Sequence, residues 1–135
     1  MANGELAWGY DNIFMAIDEI CRKDYGILGG EIWAIEKQIT GSAFPVVSNG
    51  KYKGQKVLIT SFLPIKGQEL TSIVTWDVDK NPDENWKSFV SRSREQNISE
   101  IKKLYDQLSD KLDQNKIPLQ DLFFNLTFVS ESELV

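Results

Sequence analysis

Residues at helical spacing along one long segment constrain the fold of this chain more than any other feature. They recur every three or four positions, as Trp86, Val90, Ser93, Asn97, Ile101, Leu104 and Leu108. This spacing places them on one face of an amphipathic helix. Pro118 disfavours helical backbone in the residue before it, so the helix has to end before that point. We therefore expect a long helix over roughly residues 82–113.

The start of this helix is predicted from the sequence NPDENW, residues 81–86. Asn81 is the expected N-cap, because its side chain can accept a hydrogen bond from an amide of the first turn. Pro82 suits the first helical position. Glu84 then falls where its carboxylate can reach back to the amide of Asn81, as in a capping box. We predict that Asn81 caps a helix that begins within about two residues of Pro82.

Acidic residues crowd the same junction and allow other interpretations. Asp77, Asp79 and Asn81 match the first half of an EF-hand calcium loop. The sixth position of that loop requires glycine and is Pro82 here, while the twelfth requires glutamate and is Ser88. An EF-hand is thereby excluded. Two alternatives stay open, a catalytic pair of carboxylates and an irregular calcium site formed by Asp77, Asp79 and Asp83.

Strand patterns precede and follow the long helix. Residues 70–78 alternate so that one face is mostly apolar, with Leu70, Ser72, Val74, Trp76 and Val78 expected to point to the core. Further strands are predicted over residues 31–38 and 57–64. The segment LFFNLTFV, residues 122–129, is predicted as a strand, with a short helix as the alternative. Its inward residues would be Leu122, Phe124, Leu126 and Phe128.

The remaining segments predict a short helix and several turns. A helix is expected over residues 11–24, capped by Asp11 or Asn12. Its apolar stripe consists of Ile13, Phe14, Ile17, Ile20 and Cys21. The glycines of residues 26–30, GILGG, are interpreted as a helix C-cap and a tight turn into the next strand. Asn49-Gly50 is a hairpin signal.

Together these elements indicate an α+β fold in a single domain that spans residues 1–135. We expect a mainly antiparallel sheet of four to five strands. This sheet would pack against one short N-terminal helix and one long helix. Residues 130–135 are expected to form a flexible tail.

The absence of histidine excludes several chemistries. The 135 residues include no His and a single Cys. The chain therefore cannot form Ser-His-Asp or Cys-His nucleophilic sites, or the His-containing zinc sites of most metallohydrolases. Cys21 cannot form an internal disulfide and is expected to be a small core residue. We expect no enzymatic activity, no cofactor and no metal requirement.

Charge and hydropathy bear on partners and location. The net charge is −5, and no arginine-rich or aromatic-interleaved basic patch is visible, so no nucleic-acid partner is expected. No segment approaches the roughly 18 apolar residues of a membrane span, and the first residues lack the pattern of a secretory signal. We expect a cytoplasmic protein without a membrane partner. Its acidic charge suits a basic protein partner.

Two segments carry motifs of glycine and aromatic residues, AIDEICRKDYGILGGEIWAIE (16–36) and TWDVDKNPDENWKSFVSRS (75–93). They contain a Leu-Gly-Gly-acid-aromatic strand, a Trp-containing strand, and a helix that opens with Trp, an aromatic residue and Arg-Ser. The chain resembles in these segments the immunity protein 40 family of bacterial polymorphic toxin systems. The resemblance covers about residues 16–104. Its matching positions are Leu28, Gly29, Gly30, Glu31, Trp33, Trp76, Trp86, Phe89, Arg92 and Ser93.

The resemblance implies a small protein that neutralises a cognate toxin by binding it and not by chemistry. Affinity in such a complex rests on a few aromatic anchors and on complementary charge. We predict that the partner contacts Glu31, Trp33, Asp77 and Asp79, which share one surface if their strands are neighbours. Two alternative functions stay open. One is a small-molecule-binding domain with a pocket between the sheet and the long helix, and the other is an enzyme that uses carboxylates with or without a metal.

Overall fold

The fold is that of a computed structural model, which describes residues 6–38, 57–60, 62–66 and 72–134. These residues form three helices: α1 (Tyr10–Arg22), α2 (Trp86–Lys111) and α3 (Glu131–Leu134). A 3-10 turn spans Leu119–Asp121. The strands are β1 (Ala7–Gly9), β2 (Gly26–Gln38), β3 (Val57–Thr60), β4 (Phe62–Leu63), β5 (Ser72–Ile73), β6 (Thr75–Asp77) and β7 (Leu122–Val129). The predicted α+β class is confirmed.

The main sheet is antiparallel and is centred on β2. Its order is β1-β7-β2-β3, and β6 pairs with β2 as well. Along β2, residues 29–31 pair with β6 and residues 34–38 pair with β3, so β6 and β3 adjoin the same edge. β7 occupies the other edge of β2. β4 and β5 form a separate two-stranded ribbon.

One face of the sheet and the two longer helices enclose the core. Alternate residues of β7 and β2 point to this face and are buried, with Phe124 and Ile32 fully inaccessible. The stripe predicted for α2 is buried as expected, except that Leu104 is only half-buried. α1 contributes Ile13, Ile17 and Ile20. The burial of these apolar side chains is the main source of stability in a fold of this size.

The glycine-rich segment after α1 differs from the prediction of a turn. Residues 26–30 belong to β2, which is 13 residues long and begins at Gly26. The reversal from α1 is made instead by Asp24, whose φ of 69° lies in the left-handed region. The indole N–H of Trp86 donates to the carbonyl of Asp24 at 2.9 Å and so holds this turn against α2. The glycines serve the packing of the strands, as described below.

The start of α2 also differs from the prediction. The helix begins at Trp86 and not at Pro82, and Asn85 is the N-cap, with its side chain accepting from the amide of Ser88 at 2.8 Å. Glu84 does accept from the amide of Asn81, at 3.2 Å, but within a separate turn before the helix. Arg92 explains the difference, because its guanidinium draws the carboxylate of Glu84 to the side of α2.

The chain termini and α1 bring smaller corrections. α1 begins at Tyr10, and its N-cap is Gly9, without a side-chain hydrogen bond, so neither Asp11 nor Asn12 caps it. The segment 122–129 is a strand, as predicted. The expected flexible tail contains the helical turn α3, in which Glu133 accepts from the amide of Ser130 at 2.8 Å. The hairpin predicted at Asn49-Gly50 lies outside the described residues.

Candidate functional site

A buried polar network fixes β6 and β2 against α2. The indole N–H of Trp76 donates to the side-chain oxygen of Asn97 at 2.7 Å. Asn97 in turn donates to the carbonyl of Ile27 at 3.1 Å, and the hydroxyl of Ser93 accepts from the amide of Ile27 at 3.2 Å. The pairing of β2 with β7 shifts register between Ile27 and Gly29. Ser93 and Asn97 therefore supply hydrogen bonds to the backbone at this irregular position.

Two glycines of β2 allow the strands to approach this closely. A Cβ atom at Gly29 would lie 2.0 Å from the carbonyl oxygen of Trp76, and the φ of Gly29 is 131°. A Cβ atom at Gly30 would lie 1.9 Å from the carbonyl oxygen of Asn125 and 2.8 Å from the indole of Trp76. Any larger residue would push β6 or β7 away, because real Cβ atoms do not approach other atoms so closely.

The side chains opposite the core form an open sheet face. The pairing of β2 with β7 places Phe123 beside Trp33. The amide of Ile32 donates to the carbonyl of Val74, so Ile73 lies beside Trp33 on the other side. These three side chains form one apolar row. Asn125, Glu31 and Thr75 form the next row, and Thr127 and Asp77 lie in the third. Within the described part of the chain, no helix packs on this face. We define the open sheet face as Glu31, Trp33, Ile73, Thr75, Asp77, Phe123, Asn125 and Thr127. Within it Asn125 is buried, and its side chain donates to the carbonyl of Leu6 at 3.0 Å.

Three of the four residues predicted to contact a partner lie on the open sheet face. Glu31 and Trp33 are half-buried, while Asp77 is exposed. Glu31 pairs with Thr75, and Asp77 lies two residues further along β6, so the two carboxylates are diagonal neighbours. Neither carboxylate has a hydrogen bond or an ion pair with a described residue. The structure thus brings these three predicted residues together.

Asp79 is placed differently from the other three. It lies beyond the end of β6, and its carbonyl accepts a hydrogen bond of 2.6 Å from Arg92. The same guanidinium forms two hydrogen bonds of 2.7 Å with the carboxylate of Glu84. These bonds lower the pKa of Glu84 from its ordinary value of 4.5 to about 2. Arg92 therefore ties the segment after β6 to α2, and Asp79 borders the open sheet face from this segment.

A second concave region lies on the opposite side of the molecule, between α1 and the first half of α2. This groove has a volume of about 460 Å³ and is lined by charged residues of both signs together with Val90 and Cys21. An ion pair of 2.7 Å between Arg94 and Asp18 crosses it. Burial raises the pKa of the Cys21 thiol to about 11, so the group stays protonated and is a poor nucleophile at neutral pH.

Neither a group of metal-ligating side chains nor a membrane-spanning helix is found among the described residues. Among the described residues, no three His, Cys, Asp or Glu side chains are grouped so that they could hold a metal ion. Asp77, Asp79 and Asp83 are included in that part of the chain. No helix there has the length and apolar character that crossing a bilayer requires.

Comparison with known proteins identifies the family. The family model named immunity protein 40 matches residues 1–116 of the 135. The chain belongs to the immunity protein 40 family. This match extends beyond residues 16–104, over which the resemblance was predicted. No curated protein and no solved structure matches the chain.

Most positions that carry the resemblance to the immunity protein 40 family have structural roles in this member. Gly29 and Gly30 permit close strand contacts, Trp76 and Ser93 belong to the buried network, and Arg92 anchors the segment after β6. Trp86 and Phe89 pack together in a small cluster with Val78 and Val90. Glu31 and Trp33 differ from these structural positions, because their side chains lie on the open sheet face.

Sequence reasoning missed several residues of the open sheet face. Phe123 and Asn125 alternate along β7 with the inward residues, which were predicted correctly, and so point to the other face. Ile73 points outward in the predicted alternation of residues 70–78. The signal was therefore present in the period-two pattern. The pattern does not show that β2 pairs with both β6 and β7, and this pairing aligns these residues in rows.

Proposed function

We propose that this protein neutralises a cognate bacterial toxin by binding it through the open sheet face, in the bacterial cytoplasm and without catalysing a reaction. Membership of the immunity protein 40 family supports the toxin as partner. The observation that carries the choice of surface is the alignment of Glu31, Trp33 and Asp77 across two neighbouring strands.

The composition of the open sheet face fits a protein-binding surface. Its apolar row consists of Trp33, Phe123 and Ile73, and Ile73 is 51% exposed. Aromatic residues at the centre of an interface commonly carry most of the binding energy, and polar residues around them exclude water. Here the next two rows are polar or acidic. The face therefore combines an apolar anchor with a charged margin.

The alternative of a small-molecule pocket between the sheet and the long helix finds no support. Ile101 and Leu108 of α2 fill the space above Phe124 and Trp76 of the sheet, and all of these residues are buried. No buried side-chain nitrogen or oxygen atom among the described residues lacks a hydrogen bond. A buried ligand site normally presents an open cavity with unpaired polar groups. The interior of the described part is instead packed with side chains.

The proposed function is tested by growth and binding experiments with the toxin domain encoded beside this gene. Cells that express the toxin domain are expected to grow only when this protein is co-expressed. Replacement of Trp33 by Ala removes the central aromatic anchor, so the affinity is expected to fall at least about tenfold. Binding is measured by calorimetry with the purified proteins.

The matched control is Met15→Ala, which removes a side chain that is 73% exposed on α1, away from the open sheet face. Its affinity is expected to equal that of the wild type. Equal losses in both variants would contradict the assignment of the surface. Failure of the wild-type protein to bind the toxin domain or to rescue growth would contradict the function itself.

A further inference from the structure

We propose that Asn97 is a positioning residue for toxin binding, which acts from the core by fixing the strands that carry Glu31 and Asp77. This inference rests on the proposed function and identifies a residue that controls the binding surface without belonging to it. Asn97 lies on α2 and is fully buried. Any effect of Asn97 on affinity therefore has to pass through the residues to which it bonds.

The hydrogen bonds of Asn97 leave its side-chain amide only one orientation. Its nitrogen donates to the carbonyl of Ile27 at 3.1 Å and to the carbonyl of Ser93 at 2.7 Å. Its oxygen accepts from the indole N–H of Trp76 at 2.7 Å. An indole N–H can only donate, so a reversed amide would set one donor against another. Because a buried polar group that loses its partner is costly, the observed orientation is strongly preferred.

Asn97 bonds to both strands on which the two carboxylates of the open sheet face lie. Ile27 belongs to β2, as Glu31 does, and Trp76 belongs to β6 and directly precedes Asp77. Neighbouring side chains of a strand point to opposite faces, so Asp77 points outward where Trp76 points into the core. A shift of Trp76 therefore moves Asp77 relative to Glu31.

The indole of Trp76 has little room to move independently of its backbone. A Cβ atom at Gly30 would lie 2.8 Å from this indole, so the ring packs directly on the backbone of β2. β6 consists of three residues and pairs with β2 over residues 29–31. So short a strand forms few backbone hydrogen bonds that could fix its position. The bond from Trp76 to Asn97 is therefore expected to decide where Asp77 stands.

The first test removes this bond without leaving an unpaired polar group between the two side chains. The double variant Asn97→Leu with Trp76→Phe replaces both partners by apolar groups. Trp76→Phe alone is a milder variant, which removes the donor and keeps an aromatic ring, and it decides the test if the double variant does not fold. The control is Ile17→Val, which lowers stability through a small cavity at a buried position of α1.

The affinity of each variant for the toxin domain is measured by calorimetry at a temperature at which thermal unfolding shows that it is folded. Both variants of the bond are expected to bind about five- to tenfold more weakly than the wild type. Ile17→Val is expected to bind as the wild type does, since a less stable protein keeps its surface while it is folded. If the variants of the bond lose no more affinity than Ile17→Val, the positioning role is contradicted although the proposed function stands. If the wild-type protein does not bind at all, the proposed function fails and the positioning role fails with it.

The second test asks whether the effect passes through β6. Asp77→Asn and Phe123→Ala are each made in the wild type and in Trp76→Phe. The loss of affinity from Asp77→Asn is expected to be smaller in Trp76→Phe, because a displaced Asp77 has already lost part of its contact. The loss from Phe123→Ala, on β7, is expected to be equal in both backgrounds. A merely structural role predicts additive losses at both positions, and that result would contradict the proposal.

Discussion

At Gly30, three strands of the sheet meet with no room for a side chain. The backbone of Asn125 in β7 lies on one side and the indole of Trp76 in β6 on the other. Trp76 is held in turn by Asn97 of α2. The glycine is thus the point at which the register of the sheet and the position of the long helix depend on each other.

Replacement of Gly30 by Ala is expected to destabilise the protein by about 2 kcal/mol or more, because the added methyl group overlaps backbone atoms that cannot easily move. Gly9→Ala is the control, since a Cβ atom there has no neighbour within 4 Å. Its cost is expected to be less than half as large. Urea unfolding of both variants measures the difference, and equal midpoints would contradict the packing described for β2.

The ion pair of Glu84 and Arg92 predicts a pH dependence of stability. The pKa of Glu84 in the folded protein is lowered to about 2 from 4.5. The ionised carboxylate therefore stabilises the fold above pH 4.5, and this contribution is lost as the pH falls from there towards 2. Glu84→Gln is expected to reduce the loss of stability in that window. Glu19→Gln, which alters an exposed pair, is the control. Identical acid unfolding of both variants would contradict the role of Glu84.

Among the elements, α2 shows both what helical spacing can establish and where it fails. The spacing of residues 86–108 predicted the buried face correctly, because it depends only on the geometry of the helix. The starting residue depends on contacts with residues distant in the sequence. Trp86 donates to Asp24, and Arg92 holds Glu84 outside the helix. Capping rules consider only residues near the helix end in the sequence, so they cannot predict these contacts.

The assignment of the helix start can be tested by two substitutions. Asn85→Ala removes the side chain that accepts from Ser88, so the free energy of unfolding is expected to fall by about 1 kcal/mol. Asn81→Ala is expected to have a smaller effect, because no side-chain hydrogen bond holds Asn81 in the described structure. Chemical unfolding measures both. A larger loss for Asn81→Ala would restore the prediction that Asn81 is the cap.

β2 shows a second limit of sequence reasoning. Glycines in the sequence GILGG are typical of turns, and the pattern therefore predicts a turn. In the structure Gly29 and Gly30 are required by Trp76, and Gly30 also by Asn125; these residues lie 46 and 95 positions after Gly30. The candidate site also depends on contacts between residues that are distant in the sequence. Alternation could place Trp33 and Asp77 on strand faces, but only the pairing of β2 with β6 brings them onto one face.

For the whole molecule, the distribution of charge is expected to influence association with the toxin. The chain carries a net charge of −5, and Asp77 and Asp79 lie on or beside the open sheet face. Their joint replacement by Lys reverses the local field. Association is expected to be slower and binding weaker than in the wild type, most clearly at low salt, with nearly unchanged unfolding. Stopped-flow measurements at two salt concentrations test this, and unchanged association rates at low salt would contradict it.

The arrangement of the molecule gives the two sides of the sheet different roles. α1 and α2 cover one side and form the core, and the buried network of Trp76, Asn97 and Ser93 holds β6 and β2 in register. The other side carries Trp33 in an apolar row with Phe123 and Ile73, and the next two rows are polar or acidic. A rigid sheet presents such side chains without a large loss of conformational entropy on binding. We propose that this side is the surface that meets the toxin.

The structure of the complex with the toxin domain tests this proposed binding surface. The quantity to measure is the change in exposed area of Glu31, Trp33 and Asp77 between the free and the bound protein. We predict that all three lose most of their exposed area, while the groove between α1 and α2 keeps its area. A toxin docked in that groove, with Trp33 and Asp77 as accessible as in the free protein, would contradict the proposed binding surface.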